Sequence, residues 1–142
     1  MVMDLLSRFI YLVGILYSIF VPNNLEDYGF SPNIPVKVSW YGEPFHGRRT
    51  ANGEIYDMTK FTCASPRLPF NCLVTIRHGY EYITVRVNDR GPYAVDSLGQ
   101  VEYPLRPHPI RRMDLSMAAF KSITGNLEMG IAEVTIISII ER

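Results

Sequence analysis

Carboxylates, aromatic rings and glycine turns are concentrated in two short runs of this 142-residue chain. The first joins Ser39-Trp40-Tyr41-Gly42 to Thr50-Ala51-Asn52-Gly53-Glu54, and the second extends from Arg86 to Tyr93. Both are too polar to form a hydrophobic core. A third segment, from Arg112 to Ser116, adds one more carboxylate at a predicted helix start. Rings beside acids suit a groove that binds sugars and places a carboxyl group next to them.

Alternating hydrophobic residues predict the strands that must position these segments. Val36, Val38 and Trp40 fall on one face of a half-buried strand. Further strands are predicted at residues 73–77, 82–87 and 131–140, with a tight hairpin at 78–80. Short strands separated by Gly and Pro turns indicate a small, mainly β barrel.

One helix is predicted, beginning near Asp114 and ending at Gly125 or Asn126, with Asp114 or Ser116 capping its free amide groups. Residues 94–110 show no periodicity and contain three prolines. We interpret them as a lid or wall of the groove, with a disordered insertion as the alternative.

Composition narrows the function classes. Lys+Arg and Asp+Glu both number 14, and no basic run occurs, which argues against nucleic-acid binding. His, Cys and carboxylates do not cluster at ligand spacing, so no metal or cofactor is expected. The length corresponds to one domain.

Residues 1–22 are predicted to be a signal peptide or an amino-terminal anchor. Arg8 precedes a largely apolar run at residues 9–20, shorter than the about 20 residues of a membrane span; a buried helix is the alternative. Residues 23–35 read as a linker, which leaves 36–142 as the folded domain. We expect export to the periplasm or cell envelope, with membrane contact only through residues 1–22.

Cys63 and Cys72 lie nine residues apart on either side of Pro66 and Pro69. In an oxidising compartment they would close a short disulfide loop; two free buried thiols are the alternative.

The order of the segments resembles the rare lipoprotein A family, bacterial cell-wall proteins with a double-psi β-barrel. The matching motifs, within residues 36–138, are Ser39–Gly42, Phe45–Arg48, Thr50–Glu54, Tyr56–Met58, Leu68–Phe70, Arg86–Tyr93 and Asp114–Ser116. The resemblance implies a six-stranded double-psi β-barrel with one or two short helices. It also implies an endolytic lytic transglycosylase that cuts the MurNAc–GlcNAc β-1,4 bonds of peptidoglycan glycan strands, preferably strands lacking stem peptides, to give 1,6-anhydro ends.

Asp114, Glu54 and Asp57 are the carboxylates expected to carry that reaction. One carboxyl group protonates the leaving oxygen and then takes the proton of the attacking 6-hydroxyl. Asp114 occupies the place where related barrels have an acid, but a helix amino terminus stabilises the ionised form, and a capping role is the alternative. Glu54 and Asp57, three residues apart, would push their pKa values apart; a solvated turn is the alternative.

The chain departs from the family at Ser65, where a histidine commonly follows the motif glutamate by eleven residues. Serine does not shuttle protons near neutral pH. A non-catalytic peptidoglycan-binding module, or an expansin-like wall-loosening module, is therefore the alternative function. His46 and His78 belong to other segments, and only His108, in the 94–110 loop, is placed to fold over the groove.

Tyr41, Tyr93 and Trp40 are the predicted ring-stacking contacts, with Ser65 as a further substrate contact. Core packing is the alternative for Trp40. Arg90 and Arg48 suit the carboxylates of muramic acid, with a bracing role in the turn as the alternative for Arg90.

Some family members add a carboxy-terminal domain that recognises glycan. This chain ends at Arg142, directly after the last predicted strand, so that domain is not expected. A septal or cell-wall protein partner would then be needed for localisation.

Overall fold

The computed structural model describes residues 24–142, so the predicted signal peptide or anchor lies outside the described residues. Six strands close into a barrel in the order β1-β5-β2-β4-β3-β6, which confirms the predicted mainly β barrel. The strands are β1 (Val36–Tyr41), β2 (Thr62–Ala64), β3 (Leu73–His78), β4 (Glu81–Asp89), β5 (Arg111–Ser116) and β6 (Ile131–Ile140). Within residues 24–142, no helix combines the length and apolarity required to cross a membrane.

Two parallel strand pairs distinguish this barrel from a simple meander. β5 runs parallel to β1, and β4 runs parallel to β2, while the other neighbours are antiparallel. The predicted strands at the positions of β1, β3, β4 and β6 are confirmed. The predicted hairpin between β3 and β4 is also present, with Gly79 at φ +60° in its two-residue turn.

The prediction that the helix begins near Asp114 is wrong. Asp114 lies in β5, paired with both β1 and β2, and α1 (Met117–Thr124) begins after Ser116. The Ser116 hydroxyl accepts the backbone N–H of Ala119 at 3.2 Å, so serine is the cap. Gly125, at φ +73°, ends the helix as predicted, donating its N–H to the Lys121 carbonyl.

Inward-facing residues of all six strands fill the barrel, and α1 adds Phe120 and Ile123 to the same core. The segment predicted as a linker contains a short 3-10 helix, Leu25–Tyr28. Leu25 and Phe30 of this segment are buried against the barrel core. Residues 24–30 are therefore packed onto the barrel.

Both cysteines are free and buried, so the structure has the predicted alternative rather than the disulfide. Cys63 pairs with Val87 on one side of β4, and the Cys72 carbonyl accepts the Val87 N–H on the other side. Two strand spacings separate the cysteine backbones by about 10 Å. A disulfide needs Cα atoms within about 7 Å, and so the barrel itself opposes the bond.

Candidate active site

Four neighbouring strands each contribute one residue to a row across one end of the barrel. Ser39 of β1 pairs with Asp114 of β5, which pairs with Ala64 of β2, which pairs with Asp89 of β4. Ala64 thus lies between two aspartates whose Cα atoms are about 10 Å apart, two strand spacings. The methyl group of Ala64 leaves the space between the two carboxylates open.

A β-bulge in each aspartate strand sets this alignment. In β5, Lys37 pairs with Arg111 but Val38 pairs with Met113, which leaves Arg112 as the extra residue. In β4, Asn88 is the extra residue between the partners of β2. A bulge changes the face to which the following side chains point.

The two aspartates line an open cleft of about 410 Å³, which we call the carboxylate cleft. Its other lining residues are Trp40, Tyr41, Phe45, Ala64, Arg90, Gly91, Pro92, Tyr93, Val95, Val101 and Arg111. Val95 and Val101 form an isolated bridge within the 94–110 loop, so this loop supplies one wall of the cleft. Apolar walls with a few convergent polar groups are typical of ligand sites.

Asp114 is held through only one of its two oxygens. Its Oδ1 accepts a hydrogen bond from the Ser39 hydroxyl and another, at 3.2 Å, from the Arg111 guanidinium. The same Arg111 nitrogen donates to the Ser39 oxygen at 2.7 Å, which closes a three-residue network. Among the described residues, Oδ2 has no hydrogen-bond partner, and the side chain remains 18% exposed towards the cleft. One carboxyl oxygen is therefore available to a ligand.

Asp89 is bound through both oxygens. Oδ1 accepts the backbone N–H groups of Ala51 and Arg90, each at 2.9 Å, and Oδ2 accepts the Tyr41 hydroxyl at 3.2 Å. Burial, followed by the charge of Asp89, raises the pKa of Tyr41 far above its ordinary value, so the phenol stays protonated and donates. Asp89 is thus a fixed carboxylate that faces the cleft.

The three predicted stacking rings all line the cleft, but two of them also have structural contacts. Tyr41 stacks on Tyr56 with ring centroids 4.3 Å apart. Trp40 packs against Phe120 of the core and donates its indole N–H to the Leu127 carbonyl at 3.0 Å. The third ring, that of Tyr93, lines the cleft wall, and the Tyr93 backbone forms an isolated bridge with Pro107.

Glu54 lies outside the carboxylate cleft. The Arg86 guanidinium donates to both of its oxygens, at 2.6 and 2.8 Å, and the Asn52 and Asn88 amides add bonds of 3.0 and 3.2 Å. These bonds, that of Arg86 above all, lower the pKa of Glu54 to about 2. A carboxylate that is ionised at neutral pH has no proton to donate, so the geometry gives Glu54 the role of anchoring the Thr50–Glu54 turn.

Asp57 has the geometry of the solvated turn considered as its alternative. Its Oδ1 accepts the backbone N–H and the hydroxyl of Thr59, at 2.9 and 2.6 Å, and these bonds lower the pKa of Asp57. The pKa values of Glu54 and Asp57 are thus both lowered, whereas the sequence predicted that they would be pushed apart. The two carboxylates are held by separate partners.

Ser65 is only 2% exposed and does not line the carboxylate cleft. Its hydroxyl accepts the backbone N–H of Leu68 at 3.1 Å, and its carbonyl accepts from Arg90 at 3.3 Å. Arg90 also bonds the Leu68 carbonyl and lies 3.7 Å from the centre of the Phe70 ring, so it braces the 65–70 loop. Arg48 is exposed and does not line the cleft.

Three residues of the site were not singled out by the sequence: Asp89, Arg111 and Ser39 as the partner of Asp114. Asp89 belongs to a segment that the sequence identified as polar and ring-rich, yet its place opposite Asp114 depends on β2. A strand of three residues carries no readable periodicity. In the described part of the chain, no group of His, Cys, Asp and Glu is arranged to hold a metal ion.

Comparison with known proteins gives a consistent result. Residues 34–136 match a family model described as lytic transglycolase. The chain is 41% identical over 102 residues to the endolytic peptidoglycan transglycosylase RlpA of Vibrio cholerae, covering 70% of this chain and 33% of that protein. It is 40% identical over 101 residues to the protein of the same name from Pseudomonas aeruginosa strain UCBPP-PA14, covering 70% of this chain and 25% of that protein. The chain thus spans about a third or less of the length of these curated relatives.

A solved structure confirms the fold. The Streptomyces papain inhibitor superposes with a TM-score of 0.52 and 21% identity, covering 79% of this chain and 99% of that one. At this identity the likeness concerns the fold alone. Together with the closed six-stranded order, these matches confirm the predicted double-psi β-barrel.

Proposed function

We propose that this chain, which belongs to the lytic transglycolase family, cuts the MurNAc–GlcNAc bonds of peptidoglycan glycan strands as an endolytic transglycosylase. The observation that carries the proposal is the asymmetry of the two cleft aspartates. Asp114 keeps one oxygen free towards the cleft, while Asp89 across Ala64 has both oxygens engaged. We assign the proton transfers to the aspartate with the free oxygen and a fixed, supporting role to the other.

In the proposed reaction Asp114 acts first as acid and then as base. Its proton passes from Oδ2 to the GlcNAc O4 as the C1–O4 bond breaks. The MurNAc O6 attacks the same C1, and the proton of O6 returns to Asp114 as the 1,6-anhydro ring closes. No water is consumed, and Asp114 ends in its starting state.

Neighbouring groups stabilise the two charges that this reaction creates, one on Asp114 and one on the sugar ring. While Asp114 is ionised, the Arg111 guanidinium, 3.2 Å from Oδ1, offsets its charge. Positive charge develops on the sugar ring as the glycosidic bond breaks. Asp89, fixed by two backbone N–H groups and the Tyr41 hydroxyl, is placed to stabilise that charge without moving.

Tyr93 and Phe45, together with the Val95–Val101 wall, form the apolar sides against which sugar faces would pack. The proposed substrate is glycan without stem peptides. Tyr41 contributes indirectly, because its hydroxyl holds Asp89 in place. Arg90, whose guanidinium bonds two carbonyls, orders the loop beside the cleft.

The test is to incubate the full chain with purified glycan strands and to detect 1,6-anhydro-muramic acid ends by mass spectrometry. We expect Asp114→Asn to lower the rate about 10³-fold with glycan binding retained. Asp27→Asn, an exposed aspartate outside the cleft, is the matched control and should leave the rate unchanged. A folded Asp114→Asn variant that cuts at the wild-type rate would overturn the proposal.

One observation favours a second candidate, a peptidoglycan-binding module without activity. The buried Ser65 hydroxyl already accepts a backbone N–H and offers no titratable group where the family commonly has histidine. In the same assay, bound glycan without anhydro ends would support this candidate, or an expansin-like role. Anhydro ends appearing only with Ser65→His would assign the missing step to the imidazole.

The cell envelope is the proposed site of action, because peptidoglycan lies outside the cytoplasmic membrane. Export or anchoring through residues 1–22 remains a prediction, as does a septal or cell-wall protein partner. Fractionation of cells producing the full chain, with and without residues 1–22, would test the export.

A further inference from the structure

A second concavity, of about 190 Å³, lies beside the carboxylate cleft, and we call it the basic pocket. It is lined by Tyr28, Phe30, Ser65, Arg67, His108 and Arg112, together with Leu68 and three prolines. Among the described residues that line it, none is acidic. This pocket takes no part in the reaction proposed above.

The basic pocket is a direct neighbour of the cleft. Ser65 follows the cleft residue Ala64, and Arg112 follows Arg111, so the linked Cα atoms are about 3.8 Å apart. Arg111 and Arg112 thus line different concavities although they are consecutive residues. An extended ligand that crosses this boundary would contact both concavities.

Two of the nitrogen donors in the pocket are held in place. The Arg112 guanidinium donates to the Gly29 carbonyl at 2.8 Å and lies over the Phe30 ring, 4.9 Å from its centre. The His108 ring accepts the backbone N–H groups of Ile110 and Arg111 at Nδ1, at 3.1 and 3.0 Å. Neutral His108 therefore carries its proton on Nε2 as a donor.

Arg67 supplies the mobile charge. It is exposed. The three ion pairs among the described residues involve other arginines, so the Arg67 guanidinium makes no ion pair with these residues. The pocket thus offers three kinds of donor: the mobile Arg67 guanidinium, the fixed Arg112 guanidinium and the His108 imidazole N–H. Together these donors can bind the two oxygens of a carboxylate. Tyr28 and Phe30 provide an apolar surface for the group to which the carboxylate is attached.

We propose that the basic pocket binds a carboxylate of the glycan ligand while the neighbouring sugar occupies the carboxylate cleft. This inference rests on the proposed function. It explains why the protein would bind muramic acid, which has a carboxylate, more tightly than neutral sugars. In a denuded strand the carboxylate is the lactyl group of MurNAc; in a strand with stem peptides it is a peptide carboxylate.

The test compares the binding of three probes to the full chain by calorimetry. The probes are a denuded MurNAc–GlcNAc tetrasaccharide, the same tetrasaccharide with stem peptides, and chitotetraose, which has no carboxylate. Wild type should bind the denuded probe about tenfold more tightly than chitotetraose, and Arg67→Ala should remove that preference. Because Arg67 is exposed, this variant should fold. Lys121→Ala, an exposed cation that lines neither concavity, should keep the preference.

Each outcome has one meaning. If both muramyl probes bind more tightly than chitotetraose and Arg67→Ala removes the difference, the inference is supported and either carboxylate can occupy the pocket. If only one muramyl probe binds more tightly, its carboxylate is the one that the pocket binds. An unchanged preference in Arg67→Ala overturns the basic pocket and leaves the proposed function standing. If wild type binds none of the three probes, both proposals fail.

Discussion

Replacing Glu54 by Gln tests whether the role of this acid is structural or chemical. Two bonds from Arg86 and one each from Asn52 and Asn88 lower the pKa of Glu54 from 4.5 to about 2. A change of this size corresponds to about 3 kcal/mol. The Glu54 side chain is 38% exposed and that of Arg86 33%, so solvent screening reduces the value. We expect Glu54→Gln to lower the free energy of unfolding by about 1–2 kcal/mol at pH 7.

The stabilisation by Glu54 should decrease as the pH falls. Because the folded state holds the pKa of Glu54 below its unfolded value, the stabilisation is fully present above pH 4.5. It is lost as the pH falls from 4.5 through 2, because both states bind the proton only below the folded pKa. The stability of wild type and variant should therefore draw together as the pH approaches 2 and converge below it.

Urea unfolding of the full chain, followed by the fluorescence of its single tryptophan, measures both effects. Glu81→Gln, at an exposed position at the start of β4, is the control and should change stability little at any pH. Glycan cleavage by folded Glu54→Gln should fall by no more than about tenfold, since Glu54 acts through the turn that presents the Ala51 N–H to Asp89. A thousandfold loss of cleavage, or a stability difference as large at pH 2 as at pH 7, would refute this reasoning.

Three further predictions concern the row and its supports. Ala64→Leu should fill the space between Asp89 and Asp114 and weaken glycan binding more than about tenfold, measured by calorimetry, while Ala64→Gly should not. Tyr41→Phe removes the hydroxyl bond to Asp89 and should lower kcat about tenfold with little change in KM; a change in KM alone would contradict this role. Ser116→Ala removes the helix cap and should cost about 1–2 kcal/mol in urea unfolding, and an unchanged midpoint would show that the cap contributes nothing.

Strands with clear alternation were predictable from the sequence, and so was the family. β1, β3 and β4 alternate in sequence because one face packs into the barrel and the other faces outward. β6 was predictable from its β-branched residues. β5 was read as the beginning of a helix because its sequence, RRMDLS, joins charged residues to a good helix cap. The pairing of β5 with β1 and β2 outweighs that local preference.

The candidate site was predictable only in its parts. The sequence identified Asp114 and the cleft rings as candidate residues. It did not decide whether Asp114 is an acid or a helix cap, because that depends on Asp114 lying in β5. Asp89 became its counterpart through the alignment of both aspartates on Ala64, which two bulges produce. Bulges leave no periodic signal in a sequence, and hydrogen-bond partners such as Arg86 for Glu54 lie 32 residues away.

The row of Ser39, Asp114, Ala64 and Asp89 has a consequence for the timing of activity. Its members come from four strands, and Ser39 and Asp114 are 75 positions apart in the sequence. Contacts this distant in sequence form late in folding. The row is therefore absent from a newly made chain until the residues through β5 have been synthesised and paired in the barrel. On refolding, the glycan cleavage proposed above should return with final barrel closure, later than secondary structure. Topology alone thus keeps the candidate site incomplete in every unfinished copy of the chain.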